Sequence, residues 1–118
     1  MAPKTWGRKI GQLLVLLLAA LLVLWPTPVW ADASQGAQLF ANHCAGCHRS
    51  GGNIIRRGKT LKLAALERQG LASAEAIAAV AARGQGQMSG YETVLGEGGP
   101  EAVAAYVWAQ AQAGWPPA

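Results

Sequence analysis

The chain has 118 residues, 52% of them hydrophobic, and its length suits one small domain. Three of the ten basic residues precede Leu13 and all six acidic residues follow it, so the chain from Asp32 onward has seven basic and six acidic residues. This near balance argues against a nucleic-acid partner, because nucleic-acid-binding domains carry concentrated positive charge.

The first 31 residues have the layout of a secretory signal peptide. Basic residues open the segment, an uninterrupted apolar run extends from Leu13 to Leu24, and Val29–Ala31 places small residues three and one positions before a cut. An uncleaved membrane anchor is the alternative, but the run is shorter than the roughly 20 apolar residues of a spanning helix. We therefore expect residues 1–31 to be cleaved and residues 32–118 to form an exported domain that does not span a membrane.

Residues 32–118 show the pattern of an all-α domain, with about four short helices joined by long loops and no alternating strand pattern of useful length. The predicted boundary residues are Ser34, Thr60 and Ser73 as N-caps, Pro100 in the first turn of the last helix, and Gly70, Gly84 and Gly114 as stops. The spacing of Val103, Tyr106 and Val107, continued by Gln110, predicts the buried face of the last helix. A domain this small and rich in alanine needs a further source of core: a disulfide, a metal or a bulky cofactor.

The strongest motif is Cys-Ala-Gly-Cys-His at residues 44–48. On a helix, Cys44 and Cys47 share a face and His48 lies beside them, so both thiols can add to the vinyl groups of one haem while the imidazole is held beneath its iron. A thioredoxin-type redox pair would need a βαβ context, and a zinc site would need four ligands surrounding the metal, whereas His43 and the three motif donors are crowded into six residues. The motif therefore predicts one covalently bound haem c, which also supplies core.

Met88 is the candidate for the second axial ligand of the haem iron. It is the only methionine besides Met1, and it lies in the polar, glycine-rich stretch 83–91, where no apolar stripe would bury it as a core residue. His43 directly precedes a tethered cysteine and is expected at the haem edge, and a lysine would have to bind while protonated. With His48 and Met88 as ligands the iron has no open position, which describes a one-electron carrier and not an enzyme.

Several stretches resemble the class I cytochromes c, and most of all the cytochrome c6 family of cyanobacteria and algae. They are GAQLFANHCAGCH, KTLKLAAL and EAVAAYVWAQA, and the likeness extends over residues 33–115. The stretch GGNIIRRGK is similar to the c6-like branches of that family. The resemblance implies a small fold wrapped around one haem, in which the first and last helices cross and Gly36 and Phe40 meet Tyr106.

The same resemblance implies a soluble, monomeric carrier in the thylakoid lumen, or in the periplasm. It would take electrons from the cytochrome b6f complex and deliver them to photosystem I or to a terminal oxidase, in transient encounters.

Two positions depart from the pattern of familiar c6 proteins. That pattern has proline directly after the ligand methionine and glutamine eight residues before it, where this chain has Ser89 and Val80. An amide can hydrogen-bond the haem surroundings, whereas valine only packs, so Val80 is expected to tune the site toward a lower reduction potential. The alternatives are therefore a c6-like carrier of lower potential that serves a terminal oxidase or another partner, and a haem ligand sensor in which Ser89 leaves Met88 displaceable.

One basic cluster lies between the motif and the second predicted helix. It consists of Arg56, Arg57, Lys59 and Lys62. Most such clusters are solvated surface, and the alternative is a docking patch that steers an acidic partner.

Overall fold

The computed structural model describes residues 5–25 and 30–117, so Lys4 and the Val29 of the predicted cleavage site lie outside the described residues. The helices are α1 (Thr5–Val23), α2 (Trp30–His43), α3 (Ala45–His48), α4 (Leu63–Arg68), α5 (Ala74–Arg83), α6 (Glu92–Leu95) and α7 (Gly99–Ala113), with a 3₁₀ turn at Arg49–Gly51. Two short strands, β1 (Gly84–Gln85) and β2 (Met88–Ser89), pair in antiparallel fashion. The predicted helical fold is confirmed. In addition the structure has a hairpin whose two strands have two residues each, and two helices of a single turn, α3 and α6.

Helix α1 is exposed from Trp6 to its end. Within the described residues it is the one helix long and apolar enough to cross a membrane, over Trp6–Val23, and a signal sequence near an N-terminus meets the same criterion. The apolar run that begins at Leu13 is shorter than this helix, because the helical backbone continues through the basic residues Arg8 and Lys9.

The predicted boundaries of α5 and α7 are confirmed. The Ser73 hydroxyl accepts a hydrogen bond from the amide of Ala76 at 3.1 Å, which caps α5. Gly84 and Gly114 end the two helices with φ of 81° and 77°, a conformation that suits glycine. Pro100 lies in the first turn of α7, as its missing amide hydrogen allows.

The predicted N-caps Ser34 and Thr60 are wrong. Helix α2 begins at Trp30, so Ser34 lies inside it. Helix α4 begins only at Leu63, because the chain before it is held elsewhere: the amide of Leu61 donates to the carbonyl of Gly51 at 2.8 Å. That bond ties residues 60–61 to the 3₁₀ turn instead of allowing them to start a helix.

The crossing of α2 and α7 depends on Gly36. A Cβ at this position would overlap the Ala102 carbonyl and come within 3.0 Å of the Tyr106 Cβ, so only glycine permits the approach. Next to it the rings of Phe40 and Tyr106 pack with centroids 5.3 Å apart, and Trp115 packs against both. The arrangement that the resemblance implied for Gly36, Phe40 and Tyr106 is confirmed.

The core lies between α2, α5 and α7. Val103 and Val107 are buried as predicted, whereas Tyr106 and Gln110 are half-buried. The other buried apolar residues of the described chain are Phe40, Leu66, Ile77, Leu95, one alanine each of α4 and α5, and three alanines of α7. Because alanines form so much of this interior, α7 approaches its neighbours closely but fills little volume.

Candidate haem site

One cavity of about 420 Å³ lies beside the α2–α7 crossing and receives every residue that the sequence singled out for cofactor binding. Cys44, Cys47, His48, Val80 and Met88 all line it. Further walls come from the loop before α4, from α5 and from the inner face of α7. Its volume is in the range of small-molecule and cofactor sites.

The cysteines and the histidine are brought together by one helical turn. The amides of Cys47 and His48 donate to the Cys44 carbonyl at 3.2 and 2.9 Å, so the three side chains lie along the same wall. The two cysteines form no disulfide, and Cys47 is exposed while Cys44 is half-buried. Burial, together with the neighbouring Cys47, raises the pKa of the Cys44 thiol, which is therefore uncharged at neutral pH.

The His48 imidazole is buried and held in one orientation. Its Nδ1 is 2.8 Å from the carbonyl oxygen of Gly52. Because a carbonyl only accepts, Nδ1 carries the hydrogen and Nε2 of the neutral ring keeps its lone pair. Metal-binding histidines use this arrangement, in which a backbone carbonyl fixes the tautomer and the ring plane. Gly52 is itself placed by its amide, which donates to the Arg49 carbonyl at 2.9 Å.

Met88 lies in the hairpin and not in an irregular loop. The register pairs Gln85 with Met88 and Gly84 with Ser89. A Cβ on Gly84 would overlap the Met88 carbonyl and lie 2.7 Å from the Gly90 amide nitrogen. The hairpin is thus closed tightly by glycine, and it constrains Met88 even though serine follows.

Val80 is half-buried on α5, one turn before the hairpin, and its side chain lines the cavity. After the hairpin the chain returns to α5, where the amide of Tyr91 donates to the Ala81 carbonyl at 2.9 Å. The residue expected to tune the site and the residue expected to bind the iron are therefore carried by one continuous unit, residues 80–91.

Sequence reasoning missed two residues that organise the site, Gly52 and Asn53. Gly52 accepts from His48, as described above. The Asn53 carboxamide oxygen accepts from the amides of Ile55 and Arg56, and its nitrogen donates to the Lys59 carbonyl. An asparagine placed after two glycines is a common turn residue and was the available signal.

The structure places some of the other candidate residues at the cavity and others away from it. His43 lines the cavity but is exposed, in keeping with a position at its edge. Of the basic cluster, Arg56 and Lys59 line the cavity, whereas Arg57 and Lys62 do not. Across residues 5–25 and 30–117, no group of three or more His, Cys, Asp or Glu is arranged to hold a bare metal ion.

These residues fit a covalently bound haem. Two thiols on one turn can each form a thioether, the His48 ring offers Nε2 because Nδ1 is already engaged, and Met88 offers a thioether sulfur from a different segment. The remaining walls are mainly apolar, as a macrocycle requires.

Comparison with known proteins places the chain among small c-type cytochromes. Residues 31–107 match the family model described as cytochrome C oxidase, cbb3-type, subunit III. The chain is 44% identical over 102 residues to a cytochrome c6-like protein of Nostoc sp. PCC 7120, which covers 86% of this chain and 92% of that protein. It is 41% identical over 101 residues to cytochrome c6 of Synechocystis sp. PCC 6803, with 86% and 84% covered.

Solved structures agree with these relatives. Cytochrome c6B from Synechococcus sp. WH8102 superposes with a TM-score of 0.70 at 60% identity, over 73% of this chain and 98% of that chain. Cytochrome c6C from Synechococcus sp. PCC 7002 superposes with a TM-score of 0.65 at 51% identity, over 67% and 96%.

Replacing Gly84 with alanine is expected to destabilise the protein more than replacing Gly86 with alanine. Both glycines have positive φ, 81° and 59°; Gly84 also has ψ of 172°, a conformation adopted almost only by glycine that costs another residue about 1–3 kcal/mol, whereas the strain at Gly86 is about 1–2 kcal/mol. Only the Gly84 methyl would also overlap backbone, since nothing lies within 4 Å of a Cβ on Gly86. We expect G84A to lose about 1–3 kcal/mol more of the free energy of unfolding, measured by urea titration of the haem-loaded proteins. Equal losses would show that close packing at Gly84 does not hold the hairpin.

Proposed function

Because the chain belongs to the cytochrome c6 family of c-type cytochromes, we propose that Cys44 and Cys47 attach its haem and that His48 and Met88 are the two axial ligands. Members of this family are electron carriers with covalently bound haem c, so the chain is an electron-transfer protein and not an enzyme. The haem supplies a one-electron Fe(III)/Fe(II) couple. The observation that carries the ligand assignment is the convergence of both thiols, the oriented imidazole and the Met88 thioether on one cavity.

The protein residues have distinct tasks in this proposal. Cys44 and Cys47, held on one helical turn, would attach the haem through two thioether bonds. The Gly52 carbonyl holds the proton on Nδ1 of His48, so that Nε2 would be available to the haem iron as a neutral donor. Met88, fixed by the hairpin, would offer its thioether sulfur as the other iron ligand and would keep small ligands away.

We further propose that Val80 lowers the reduction potential relative to c6 proteins that have glutamine at this place. Valine packs against the cavity without a hydrogen-bonding group, so it lacks the contact with the haem surroundings that a glutamine amide can make. Electron transfer from the cytochrome b6f complex to photosystem I is the proposed physiological role. The alternative is a c6-like carrier of lower potential that delivers electrons to a terminal oxidase or to another partner.

The proposed compartment is the thylakoid lumen, or the periplasm. In this proposal residues 1–31 are a signal peptide and residues 32–118 are the exported cytochrome domain, with α1 lost on cleavage. The exposed apolar surface of α1 and its position near the N-terminus support the proposal.

When the protein is produced in a host that exports it across a membrane, the purified chain is expected to begin at Asp32. The intact mass of the purified protein measures this. A chain that begins at Met1 and stays with the membrane would indicate an anchor instead.

Replacing Met88 with alanine is expected to abolish the weak long-wavelength sulfur–iron band of the oxidised protein. The variant loses its thioether, so it should also bind carbon monoxide when reduced, which the parent protein should not. Absorption spectra of both redox states measure these changes. Gln87→Ala is the matched control, because Gln87 lies next to Met88 in the same hairpin and lines the same cavity but has no sulfur. A parent protein that lacks the band and binds carbon monoxide readily would support a ligand sensor and contradict the carrier assignment.

Replacing Val80 with glutamine is expected to raise the reduction potential. One additional hydrogen bond near the haem is worth about 0.5–1.5 kcal/mol, which for one electron corresponds to about 20–60 mV. Equilibrium redox titration measures the shift, and Val80→Leu, which adds bulk without an amide, serves as the control. An unchanged potential in V80Q would remove Val80 from the tuning residues.

The same variant tests the proposed partners. A higher potential increases the driving force for reduction by purified cytochrome b6f complex, so V80Q should be reduced faster than the parent protein. Both proteins should reduce flash-oxidised photosystem I. Failure of the parent protein in both reactions, together with rapid oxidation by a terminal oxidase, would assign it to the alternative role.

A further inference from the structure

The carbonyl that orients His48 follows a turn with an uncommon backbone. Gly52, which supplies that carbonyl, comes directly after Gly51, a buried glycine with φ of 73°. Ser50, one residue earlier, has φ of 51°, in the left-handed region that residues with side chains rarely adopt. Such a turn needs contacts from the rest of the protein to persist. The position of the Gly52 carbonyl therefore depends on what holds Gly51 in place.

The side chain of Trp115 lies directly on Gly51. A Cβ built on this glycine would overlap the indole nitrogen of Trp115 and the two ring carbons bonded to it, so only glycine fits beneath the ring. The indole is itself packed against two aromatic rings, those of Phe40 and Tyr106, with centroids 5.4 and 6.3 Å away. Trp115 is thus a fixed surface against which the turn rests.

A pair of hydrogen bonds joins Trp115 to the same turn by a second route. The indole nitrogen donates to the Leu61 carbonyl at 3.1 Å, and the Leu61 amide donates to the Gly51 carbonyl at 2.8 Å. Leu61 also lines the haem cavity, whereas Trp115 does not. One side chain outside the cavity therefore holds Gly51 both at its Cα, by contact, and at its oxygen, through Leu61.

The backbone of Trp115 is strained. Its φ is 54°, and its amide donates to the Gln110 carbonyl at 2.9 Å, which keeps the residue folded back on the end of α7. Among the residues that the structure describes, Ser50 and Trp115 are the two non-glycine residues with positive φ, and both adjoin Gly51. Strain of this kind persists only where the surrounding structure imposes it, and it is concentrated at functional sites.

We propose that Trp115 is a positioning residue for the haem iron ligand His48: it fixes the turn before Gly52 and thereby the strength of the hydrogen bond from Nδ1 of His48 to the Gly52 carbonyl. The proposal rests on the proposed role of His48 as an axial ligand. A strong hydrogen bond at Nδ1 makes Nε2 a better electron donor, which favours Fe(III) and lowers the reduction potential. Trp115 thus influences the redox couple from beyond the last helix.

The first experiment measures this hydrogen bond in the reduced, haem-loaded protein with isotope-labelled histidine. Exchange of the Nδ1 proton of His48 with deuterium, followed by NMR, reports how often the bond to Gly52 opens. Trp115→Phe keeps an aromatic ring but removes the indole donor, so the exchange is expected to be faster by roughly five- to tenfold, as for the loss of one hydrogen bond. The backbone amide of Ala81 in α5 should keep its exchange rate, because the opening is local.

The second measurement is an equilibrium redox titration of the same proteins. The potential of W115F should be higher than that of the parent protein, because a weakened bond at Nδ1 makes His48 a poorer donor. Trp108→Phe is the matched control: Trp108 is half-buried and packs against the core, but it does not line the cavity, and its indole has no hydrogen bond within residues 5–25 and 30–117. W108F should change neither the Nδ1 exchange nor the potential.

Gly51→Ala tests the same link without a change at Trp115. Its methyl group would displace the indole, so G51A should also speed the Nδ1 exchange and raise the potential. Gly70→Ala is the control for backbone strain, since Gly70 has φ of 70° and open space around its Cβ, and it should do neither. Adding W115F to G51A should have little further effect, as expected for two residues that act through one contact.

The proposal is overturned if W115F leaves both the exchange rate and the potential of the parent protein unchanged, or if W108F changes them equally. If W115F does not fold, the comparison of G51A with G70A decides the question by the same two measurements. The ring protons of an axial histidine are shifted strongly upfield by the haem in the reduced state. Ordinary positions for His48 would remove the ligand assignment and this proposal with it, whereas upfield positions with unchanged exchange would refute only the role of Trp115.

Discussion

The close approach of α2 and α7 at Gly36 is the constraint on which the rest of the structure depends. Because no side chain separates the two backbones there, Phe40 packs against Tyr106 of α7 one turn later, and the end of α2 lines the same cavity as Val103 and Val107. The motif that begins at Cys44 continues directly from that end. The position of the thiols and of the imidazole thus follows from how tightly two helices pack some two turns away.

The interior makes sense only together with the cofactor. Among the described residues Leu66, at 1% exposed, is the most completely buried large side chain, and five of the eleven buried apolar residues are alanines. Small domains bury too little apolar surface for ample stability unless another group contributes. The apolar walls of the cavity, formed by residues such as Leu71, Ile77 and Val107, are ready to pack against a macrocycle. The haem would therefore form part of the core, and loss of the haem would lower the stability of the fold.

The sequence predicted most of this site, and the reasons for its failures are physical. Local patterns were sufficient where the cause is local: the Cys-x-x-Cys-His spacing, the Ser73 cap and the glycine stops of α5 and α7. Thr60 failed as a cap because a long-range bond between Leu61 and Gly51 decides the conformation there. The hairpin around Met88 was missed because its strands have two residues each, too few for an alternating pattern to show. Gly52 carries no side chain, so its role toward His48 is visible only in three dimensions.

Trp115 gives the end of the chain an importance that its position beyond the last helix does not suggest. Its indole nitrogen donates to the Leu61 carbonyl at 3.1 Å, its ring packs on Phe40, and a Cβ on Gly51 would overlap it. One side chain thereby joins the C-terminal tail, α2 and the loop after the haem motif. Terminal segments usually fray with little cost, but release of this one would free the loop and expose Phe40 together. The tail, the loop and the helix crossing thus share the contacts of one side chain, and loss of the Trp115 contacts would loosen all three together.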